Sequence, residues 1–422
     1  VLASCIDSTP VRNVLITRIG DMSSFPKSAL MNFGAKYIRR LVPRYDLPGQ
    51  VSLSRALDEG NSCTFKHVEV GPDDLAFLQY TGGTTGVAKG AMLTHRNMVA
   101  NVEQAAAWIR PNVEDGEEII ITALPLYHIF SLTANCLTFM KIGGLNQLVP
   151  DPRNIRAFMR TLRYTQFSAI SGVNTLFNAL LNAPGFRKIN FSALKISLAG
   201  GTALQKATAD RWAAATGSTI IEAYGLTETS PAVSINPLDI GNYNGCIGLP
   251  IPSTDVTIRN EQDIEVGPNE PGELWVQGPQ VMRGYWRQPE ETAKVLSADG
   301  WLRTGDIGEM LPSGFIRLLD RKKDMILVSG FNVYPNEVED AIAEHPGVLE
   351  VGVIGVPDEK TGEAVLAMIV KNDDSLTEDQ IRDHCQAVLT RYKQPKHIRF
   401  ARQLPKNNVG KILRRELRRR YT

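Results

Sequence analysis

A loop rich in glycine and threonine, between Tyr80 and Gly90, carries the clearest chemical signal in the sequence. It reads YTGGTTGVAKG and contains four glycines, three threonines and a lysine. Glycine takes positive φ without strain, so such a loop can turn several backbone N–H groups toward one point, where a polyphosphate would bind. The candidate phosphate-binding residues are Thr81, Gly82, Gly83, Thr84, Thr85, Gly86 and Lys89.

This loop matches neither of two common nucleotide motifs. A Walker A loop needs glycine directly before its lysine and serine or threonine after it, whereas Ala88 precedes Lys89 and Gly90 follows it. The dinucleotide fingerprint G-x-G-x-x-G is also absent from the loop. A plain connector is the simpler interpretation of a Gly/Thr-rich loop, but its composition and its position between a predicted strand and a predicted helix favour an anion site.

Two carboxylates suit a phosphorylated ligand, and one histidine stands out in an apolar segment. Glu228 lies in a turn of hydroxyl residues after a predicted strand, where α/β sheets bind ligands, and one carboxylate with phosphate oxygens suits Mg²⁺. Asp306 could accept both hydroxyls of a ribose. Their alternatives are a surface acid and a turn-forming aspartate. His128 lies in an apolar segment, where a lone histidine is more often a core residue.

Strands and helices alternate from Asp74 onward, which predicts an α/β domain with a layered, largely parallel sheet. Before Asp74 the sequence predicts one short basic helix, Phe33–Leu41. The predicted strands are Leu75–Tyr80, Glu118–Leu124, Phe167–Ile170, Leu194–Ala199 and Thr219–Ala223. The predicted helices are His95–Ile109, Phe130–Met140, Arg156–Arg163, Val173–Leu181 and Gln205–Ala214.

After Pro231 the pattern changes to short β-rich runs between Gly/Pro turns, which predicts a small barrel or antiparallel sheet. A charged turn at residues 320–324 then precedes an α+β segment that begins with a helix at Pro335. We therefore predict a large domain over residues 1–320, with a β-rich subdomain at 232–320, a hinge at 321–324, and a small mobile C-terminal domain over 325–422.

Composition excludes several classes of protein. Of the 422 residues, 43% are hydrophobic and 22% charged, as in ordinary globular proteins. A net charge of +1 gives no indication of a nucleic-acid partner. The five cysteines show neither a CxxC pair nor a ligand-like spacing, which argues against structural zinc or a disulfide framework and favours the cytoplasm.

The Tyr80–Gly90 loop resembles the phosphate loop of the adenylate-forming superfamily, which includes acyl-CoA synthetases, luciferases and peptide-synthetase adenylation domains. Further matches follow in the superfamily's order: YGLTETS from Tyr224, TGD from Thr304, DR from Asp320, and LPKNNVGK from Leu404. Asp299–Gly308 resembles the fatty-acyl-CoA synthetase signature. Three further stretches are similar to bacterial long-chain-fatty-acid–CoA ligases: Leu124–Phe130, Ile326–Glu337 and Gly410–Leu417. The resemblance covers essentially the whole chain, and it implies that related enzymes carry a further part of the large domain before the position of Val1.

The resemblance implies a reaction in two steps and a role for each matched residue. ATP and a fatty acid give an acyl-adenylate and pyrophosphate, and coenzyme A then takes the acyl group. ATP binding is implied for Gly201, Thr202, Tyr224, Gly225, Thr227, Asp306 and Arg321 besides the phosphate loop, with Thr81 and His128 also near the reaction. Glu228 is implied to hold Mg²⁺, His128 to lie beside the acyl carboxylate, and Gly200 and Gly225 to contact the acyl group.

Lys411 is the residue implied to catalyse the first step. A carboxylate must attack an α-phosphate that is itself negative, so positioning and cationic stabilisation have to lower the barrier. A lysine on a glycine-containing loop supplies a compact point charge. The alternative is one more cation in a basic tail, since residues 396–422 contain ten Lys/Arg and a single acid, Glu416.

The resemblance also implies that the C-terminal domain rotates about Lys323 between the two steps. Rotation would withdraw Lys411 and open a path for the coenzyme A thiol at Gly330. The arginines Arg414, Arg415, Arg418 and Arg419 of the tail, at helical spacing, form either a solvated face or a contact with anionic membrane or coenzyme A phosphates. A homodimer, a ligase that loads a carrier protein, and a non-catalytic acyl-nucleotide sensor are open alternatives.

Overall fold

The computed structural model describes residues 2–47, 49–81 and 88–421, and the chain divides into two units, residues 1–70 and 71–422. The first unit contains a short parallel pair of strands, β1 and β2. Val14 and Leu47 are its buried apolar side chains among the described residues. Its elements are α1 (Leu2–Cys5), β1 (Val14–Ile16), α2 (Lys27–Phe33), a π-helical segment (Gly34–Ile38), β2 (Gln50–Ser52) and α3 (Leu53–Asn61).

The second unit begins with the strand pair that flanks the phosphate loop. Strand β3 (Leu75–Thr81) pairs antiparallel with β4 (Lys89–Thr94), so the loop joins two neighbouring strands. The sequence predicted a strand before the loop, which is confirmed. It also predicted that a helix follows directly, and this was wrong: β4 intervenes before α4 (His95–Ile109), whose first turn is capped by the Thr94 hydroxyl.

A seven-stranded sheet forms the centre of this unit, in the order β11-β10-β9-β8-β7-β5-β6. Strands β5 to β9 are parallel, while β10 and β11 run antiparallel at one edge. Its strands are β5 (Ile119–Thr122), β6 (Leu145–Leu148), β7 (Ala169–Gly172), β8 (Ile196–Gly200), β9 (Ile220–Gly225), β10 (Ala232–Ile235) and β11 (Leu249–Pro250). The predicted layered α/β fold is confirmed.

The helices that pack on this sheet are α5 (Thr138–Lys141), α6 (Ile155–Tyr164), α7 (Asn174–Leu181) and α8 (Lys206–Thr216). The largest core cluster includes Phe158, Phe177 and Trp212 of α6, α7 and α8 with strand residues such as Ile121 and Ile170. The predicted helix Phe130–Met140 instead begins as a π-helical segment, Ser131–Leu137, before α5. There the Thr138 hydroxyl donates to the Thr133 carbonyl at 2.8 Å, an example of a side chain competing with helical backbone pairing.

Two smaller sheets follow. The first is antiparallel, in the order β12-β13-β14-β15, from β12 (Asp255–Arg259), β13 (Gly272–Gln277), β14 (Leu302–Met310) and β15 (Ile316–Arg321), with α9 (Pro289–Val295) between β13 and β14. Because β10 and β11 extend the seven-stranded sheet, this antiparallel sheet begins at Asp255 rather than near residue 232. The change of pattern after Pro231 marks the reversal of strand direction at β10.

The last segment is α+β, as predicted. Its sheet has the order β17-β16-β19-β18, and β20 pairs with β19. The elements are β16 (Ile326–Val328), β17 (Phe331–Val333), α10 (Pro335–Ala343), β18 (Val348–Asp358), β19 (Gly362–Lys371), α11 (Glu378–Val388), β20 (His397–Phe400) and α12 (Arg414–Tyr421). No helix in the described parts of the chain combines the length and apolar content that a membrane span requires.

Candidate active site

One cavity of about 730 Å³ brings together most of the residues expected to do chemistry. It opens at the carboxyl ends of the parallel strands, where α/β sheets bind ligands. Its polar end is lined by Thr81, Lys89, His128, Gly200, Gly201, Tyr224, Gly225, Thr227, Glu228, Arg321, Lys323 and Lys411. The proposed phosphate-loop residues Gly82, Gly83, Thr84, Thr85 and Gly86 lie outside the described residues, but Thr81 and Lys89 on either side of them reach this cavity.

Asp306 anchors a buried polar group beside this cavity. Its carboxylate accepts a hydrogen bond from the Tyr224 hydroxyl at 2.6 Å and pairs with Nε of Arg321 at 3.1 Å. Burial raises the pKa of Tyr224 well above its usual value, and the charge of Asp306 raises it further, so the phenol stays protonated and donates. Tyr224, Asp306 and Arg321, which are far apart in the sequence, therefore form one connected group.

A second cavity, of about 770 Å³, adjoins the first on the side of Asp306. It contains Gly201, Thr202 and Asp306, and it shares Tyr224, Arg321 and Lys411 with the first cavity. The Thr202 hydroxyl is buried and has no hydrogen-bond partner among the described residues. Buried polar groups are normally paired, so this hydroxyl is suited to a ligand atom.

Tyr285 and Glu291 contact residues of the polar end, but neither carried a recognisable signal in the sequence. The Tyr285 hydroxyl donates to Oε1 of Glu228 at 2.7 Å, and the Lys89 ammonium lies 5.1 Å from the Tyr285 ring centroid. Lys89 also pairs with Glu291 of α9. Tyr285 is 57 residues from Glu228 along the chain, and Glu291 is 202 residues from Lys89. No local sequence pattern could indicate that these side chains are in contact.

His128, Gly200 and Gly225 lie where the polar end of the cavity narrows into an apolar part. Nδ1 of His128 accepts the backbone N–H of Phe130 at 3.3 Å. Burial lowers the pKa of His128, and the Lys411 charge lowers it further, so the ring is neutral and carries its proton on Nε2. A Cβ at Gly225 would lie 1.9 Å from the Pro231 carbonyl oxygen, so no side chain fits there.

The apolar part of the cavity runs between α4 and the sheet, and we call it the apolar tunnel. Ile196, Leu198 and Gly200 alternate on β8 and therefore share one face. Ala105 and Ile109 follow Asn101 at four-residue spacing, on one face of α4. Ile196 to Gly200 span about 13 Å of strand and Asn101 to Ile109 about 12 Å of helix, so the two walls run alongside each other over a similar distance.

Its lining includes residues of a core cluster, among them Ile120, Phe139 and Ile196, with Ile109 and Leu238 packed against them. The polar Asn101 in its wall is already satisfied, because its amide exchanges hydrogen bonds with the backbone of Ala232, both at 3.0 Å. Within the described part of the chain, Asn101 therefore presents no unpaired amide to an apolar guest in the tunnel.

Lys411 reaches the cavity from a tight loop before α12. The Asn407 side chain accepts the backbone N–H of Lys411 at 2.9 Å, and the Asn407 N–H donates to the Lys411 carbonyl at 2.9 Å. The Thr175 hydroxyl of α7 donates to the Gly410 carbonyl at 3.0 Å. Burial lowers the pKa of Lys411 to about 8, and the neighbouring Arg321 cation adds to this effect.

This lowered pKa predicts that activity which needs the Lys411 ammonium declines as the pH rises through about 8, because the neutral amine takes over. We expect kcat/KM for adenylate formation, which reports groups of the free enzyme, to fall on the alkaline side. Lys411→Arg should lack this decline in whatever activity it keeps, since arginine stays charged.

Two carboxyl groups provide the competing explanation for such a decline. Glu222 and Asp340 face the second cavity, and burial raises the pKa of each to about 8. If the alkaline decline in kcat/KM persists in Lys411→Arg but disappears in Glu222→Gln, the titrating group is a carboxyl group of this pair. That result would contradict the prediction for Lys411.

Gly330 is placed apart from the other predicted residues. It is exposed, and its φ is near +86°. Gly330 does not belong to the lining of either cavity, as the described residues define them. Lys411 lines both cavities instead. No group of three or more His, Cys, Asp or Glu side chains in the described residues is arranged to hold a metal ion.

The chain belongs to the AMP-binding enzyme family. Residues 8–286 match the family described as AMP-binding enzyme, and residues 337–411 match the AMP-binding enzyme C-terminal domain. The resemblance to the adenylate-forming superfamily is thereby confirmed.

Individual relatives narrow the comparison. The chain is 54% identical over 417 residues to a long-chain-fatty-acid–CoA ligase of Escherichia coli O157:H7, covering 99% of this chain and 74% of that protein. It is 39% identical to one from Bacillus subtilis strain 168, covering 96% of this chain and 72% of that protein. Among solved structures, ATP-bound MatB from Rhodopseudomonas palustris matches with a TM-score of 0.81 and 30% identity, covering all of this chain and 81% of that one.

Proposed function

We propose that the protein activates long-chain fatty acids with ATP and transfers the acyl group to coenzyme A. The observation that carries this proposal is the single cavity in which Lys89, Glu228 and Lys411 adjoin the apolar tunnel. A nucleotide phosphate and an acyl carboxylate can meet at its polar end, while the hydrocarbon chain lies between α4 and β8. The names of the similar bacterial ligases agree with this substrate class.

In the first step a carboxylate oxygen attacks the α-phosphorus, and pyrophosphate leaves. Lys411 lies in the same polar end as His128 and Gly225, so its ammonium can bridge the acid and the α-phosphate and stabilise the charge that builds up between them. Tyr224, Asp306 and Arg321 hold the adenosine, with Asp306 oriented toward the ribose by its two partners. Thr81, Lys89 and the loop between them bind the β- and γ-phosphates.

Magnesium fits this site through one protein carboxylate. Glu228 is fixed by Tyr285 at the phosphate end of the cavity, and Mg²⁺ typically uses one or two carboxylates with phosphate oxygens and water. The ion would neutralise phosphate charge and would not need a cluster of protein ligands.

In the second step the thiol of coenzyme A attacks the acyl carbon and expels AMP. For this step we propose that the segment after Arg321 turns about Lys323, which removes Lys411 and brings the loop of Gly330 to the cavity. The cytoplasm as its compartment and a homodimer stay predictions. Arg414 does not belong to a solvated face, because it is largely buried and pairs with Asp320. A contact of Arg415, Arg418 and Arg419 with anionic membrane stays a prediction.

Thioester formation tests the proposal against its nearest alternative. With ATP, Mg²⁺ and oleate, the protein should form oleoyl-CoA when coenzyme A is supplied. If oleoyl-adenylate accumulates and only an added acyl carrier protein accepts the acyl group, the protein is a carrier-loading ligase. Binding of ATP and oleate without any pyrophosphate would make it a sensor.

A further inference from the structure

A buried cluster of charged residues connects the start of α12 to both sides of the predicted hinge. Arg414 is at its centre, three residues after Lys411. Its guanidinium pairs with Asp320 at 2.7 Å through Nη1 and with Glu339 at 2.9 Å through Nη2. Nη2 also donates to Oδ1 of Asn336 at 2.7 Å. We call Arg414, Asp320, Asn336 and Glu339 the hinge cluster.

These contacts are shielded from solvent. The Asp320 side chain is 1% exposed and that of Arg414 14%. The Asp320 carboxylate also accepts the backbone N–H of Arg321 at 2.7 Å and that of Asn336 at 2.8 Å. Asp320 is thus the acceptor for donors from β15, α10 and α12. Shielded, multiply bonded ion pairs of this kind depend strongly on geometry, because either partner left alone is a buried unpaired charge.

The hinge cluster spans the predicted pivot. Asp320 precedes Lys323 and would stay with the large domain, whereas Asn336, Glu339 and Arg414 follow it and would turn with the C-terminal domain. Rotation about Lys323 therefore separates Arg414 from Asp320 but preserves its bonds to Asn336 and Glu339. The Arg414–Asp320 pair exists in the orientation that places Lys411 in the cavity.

We propose that Arg414 is a positioning residue that holds Lys411 in place for adenylation by pairing with Asp320 across the hinge. This proposal rests on the proposed function. Arg414 need not touch the substrates, since it acts by biasing the equilibrium between two orientations. The fork of the guanidinium suits this role because it bonds Asp320 on one side and Asn336 and Glu339 on the other.

The experiment measures the two half-reactions separately. Adenylation is followed as pyrophosphate release from ATP and oleate without coenzyme A, and the second step as oleoyl-CoA formation from supplied oleoyl-adenylate. Asp320→Asn and Arg414→Lys keep the size of the side chains and so limit the risk of unfolding. We expect each to slow adenylation by tenfold or more, while the second step keeps its rate or becomes faster.

Matched controls separate this role from a merely structural one. Arg420→Ala removes an exposed arginine of the same helix, and it should leave both half-reactions unchanged. The double variant Asp320→Asn/Arg414→Lys should be little slower than either single one, because both changes break the same pair.

Three results would overturn the inference. Either both half-reactions fall by the same factor, or adenylation is unaffected, or the effects of the two substitutions multiply. If the unaltered protein releases no pyrophosphate at all, the proposed function fails instead, so the two failures are distinguishable.

Discussion

Replacing Lys411 with alanine should slow adenylate formation by about 10²–10³-fold, the usual effect of removing one preorganised group that stabilises transition-state charge. The second half-reaction, measured with supplied oleoyl-adenylate, should be largely spared, because the lysine has no part in thiol attack. The structure supports this split, since Lys411 lies in the cavity with Glu228 and His128 whereas Gly330 lies outside it. Pyrophosphate release and oleoyl-CoA formation measure the two steps.

Lys406 provides the matched control. It belongs to the same loop but pairs with Glu350 and lies off both cavities as far as the described residues define them. Lys406→Ala should therefore keep both activities. Equal losses of both half-reactions in Lys411→Ala would contradict the assignment of this lysine to the first step alone.

Filling the apolar tunnel should change which acids the protein accepts. Ala105 lines it midway between Asn101 and Ile109 of α4, and phenylalanine there would occupy space that a long acyl chain needs. Forcing a chain past such a side chain costs about 1–3 kcal/mol, which corresponds to a loss of about fivefold to 150-fold in kcat/KM for oleate. The chains of butyrate and hexanoate are too short to reach the introduced phenylalanine, so these acids should react about as well as before.

The control for this change lies on the same helix. Ala107 is exposed, so the ring introduced by Ala107→Phe would lie in solvent. This variant should leave the acyl chain-length preference unaltered. A panel of short, medium and long acids compares the two variants. If Ala105→Phe lowers activity on every acid equally, or on none, the acyl chain does not lie between α4 and β8.

Much of the site could be predicted because the chemistry resides in short motifs. The YGLTETS motif contains Tyr224, which lies at the end of β9, and Glu228, which lies in the turn that follows. The TGD motif contains Asp306, which lies on β14. Local patterns also located α4 and α10 with the correct first residues. Such elements follow from capping residues and periodicity, which act over a few positions.

The remainder depends on contacts between distant segments. Tyr285 bonds Glu228 and Arg414 bonds Asp320 only because separate sheets and helices meet. The lowered pKa of Lys411 likewise requires burial by the large domain. The tunnel's depth is another such property, because it depends on how Ile109 and Phe139 pack against the sheet. Sequence spacing carries no information on these distances.

Isotope transfer tests the central claim, which is that a fatty acid's carboxylate attacks the α-phosphorus of ATP in this cavity. Oleate labelled with ¹⁸O in both carboxylate oxygens is supplied with ATP, Mg²⁺ and coenzyme A. The ¹⁸O content of AMP and pyrophosphate is then measured by mass spectrometry. Our account predicts one ¹⁸O in AMP and none in pyrophosphate, because the attacking oxygen stays on phosphorus when the thiol takes the acyl group. Label in an inorganic phosphate product, or unlabelled AMP beside newly formed oleoyl-CoA, would contradict it.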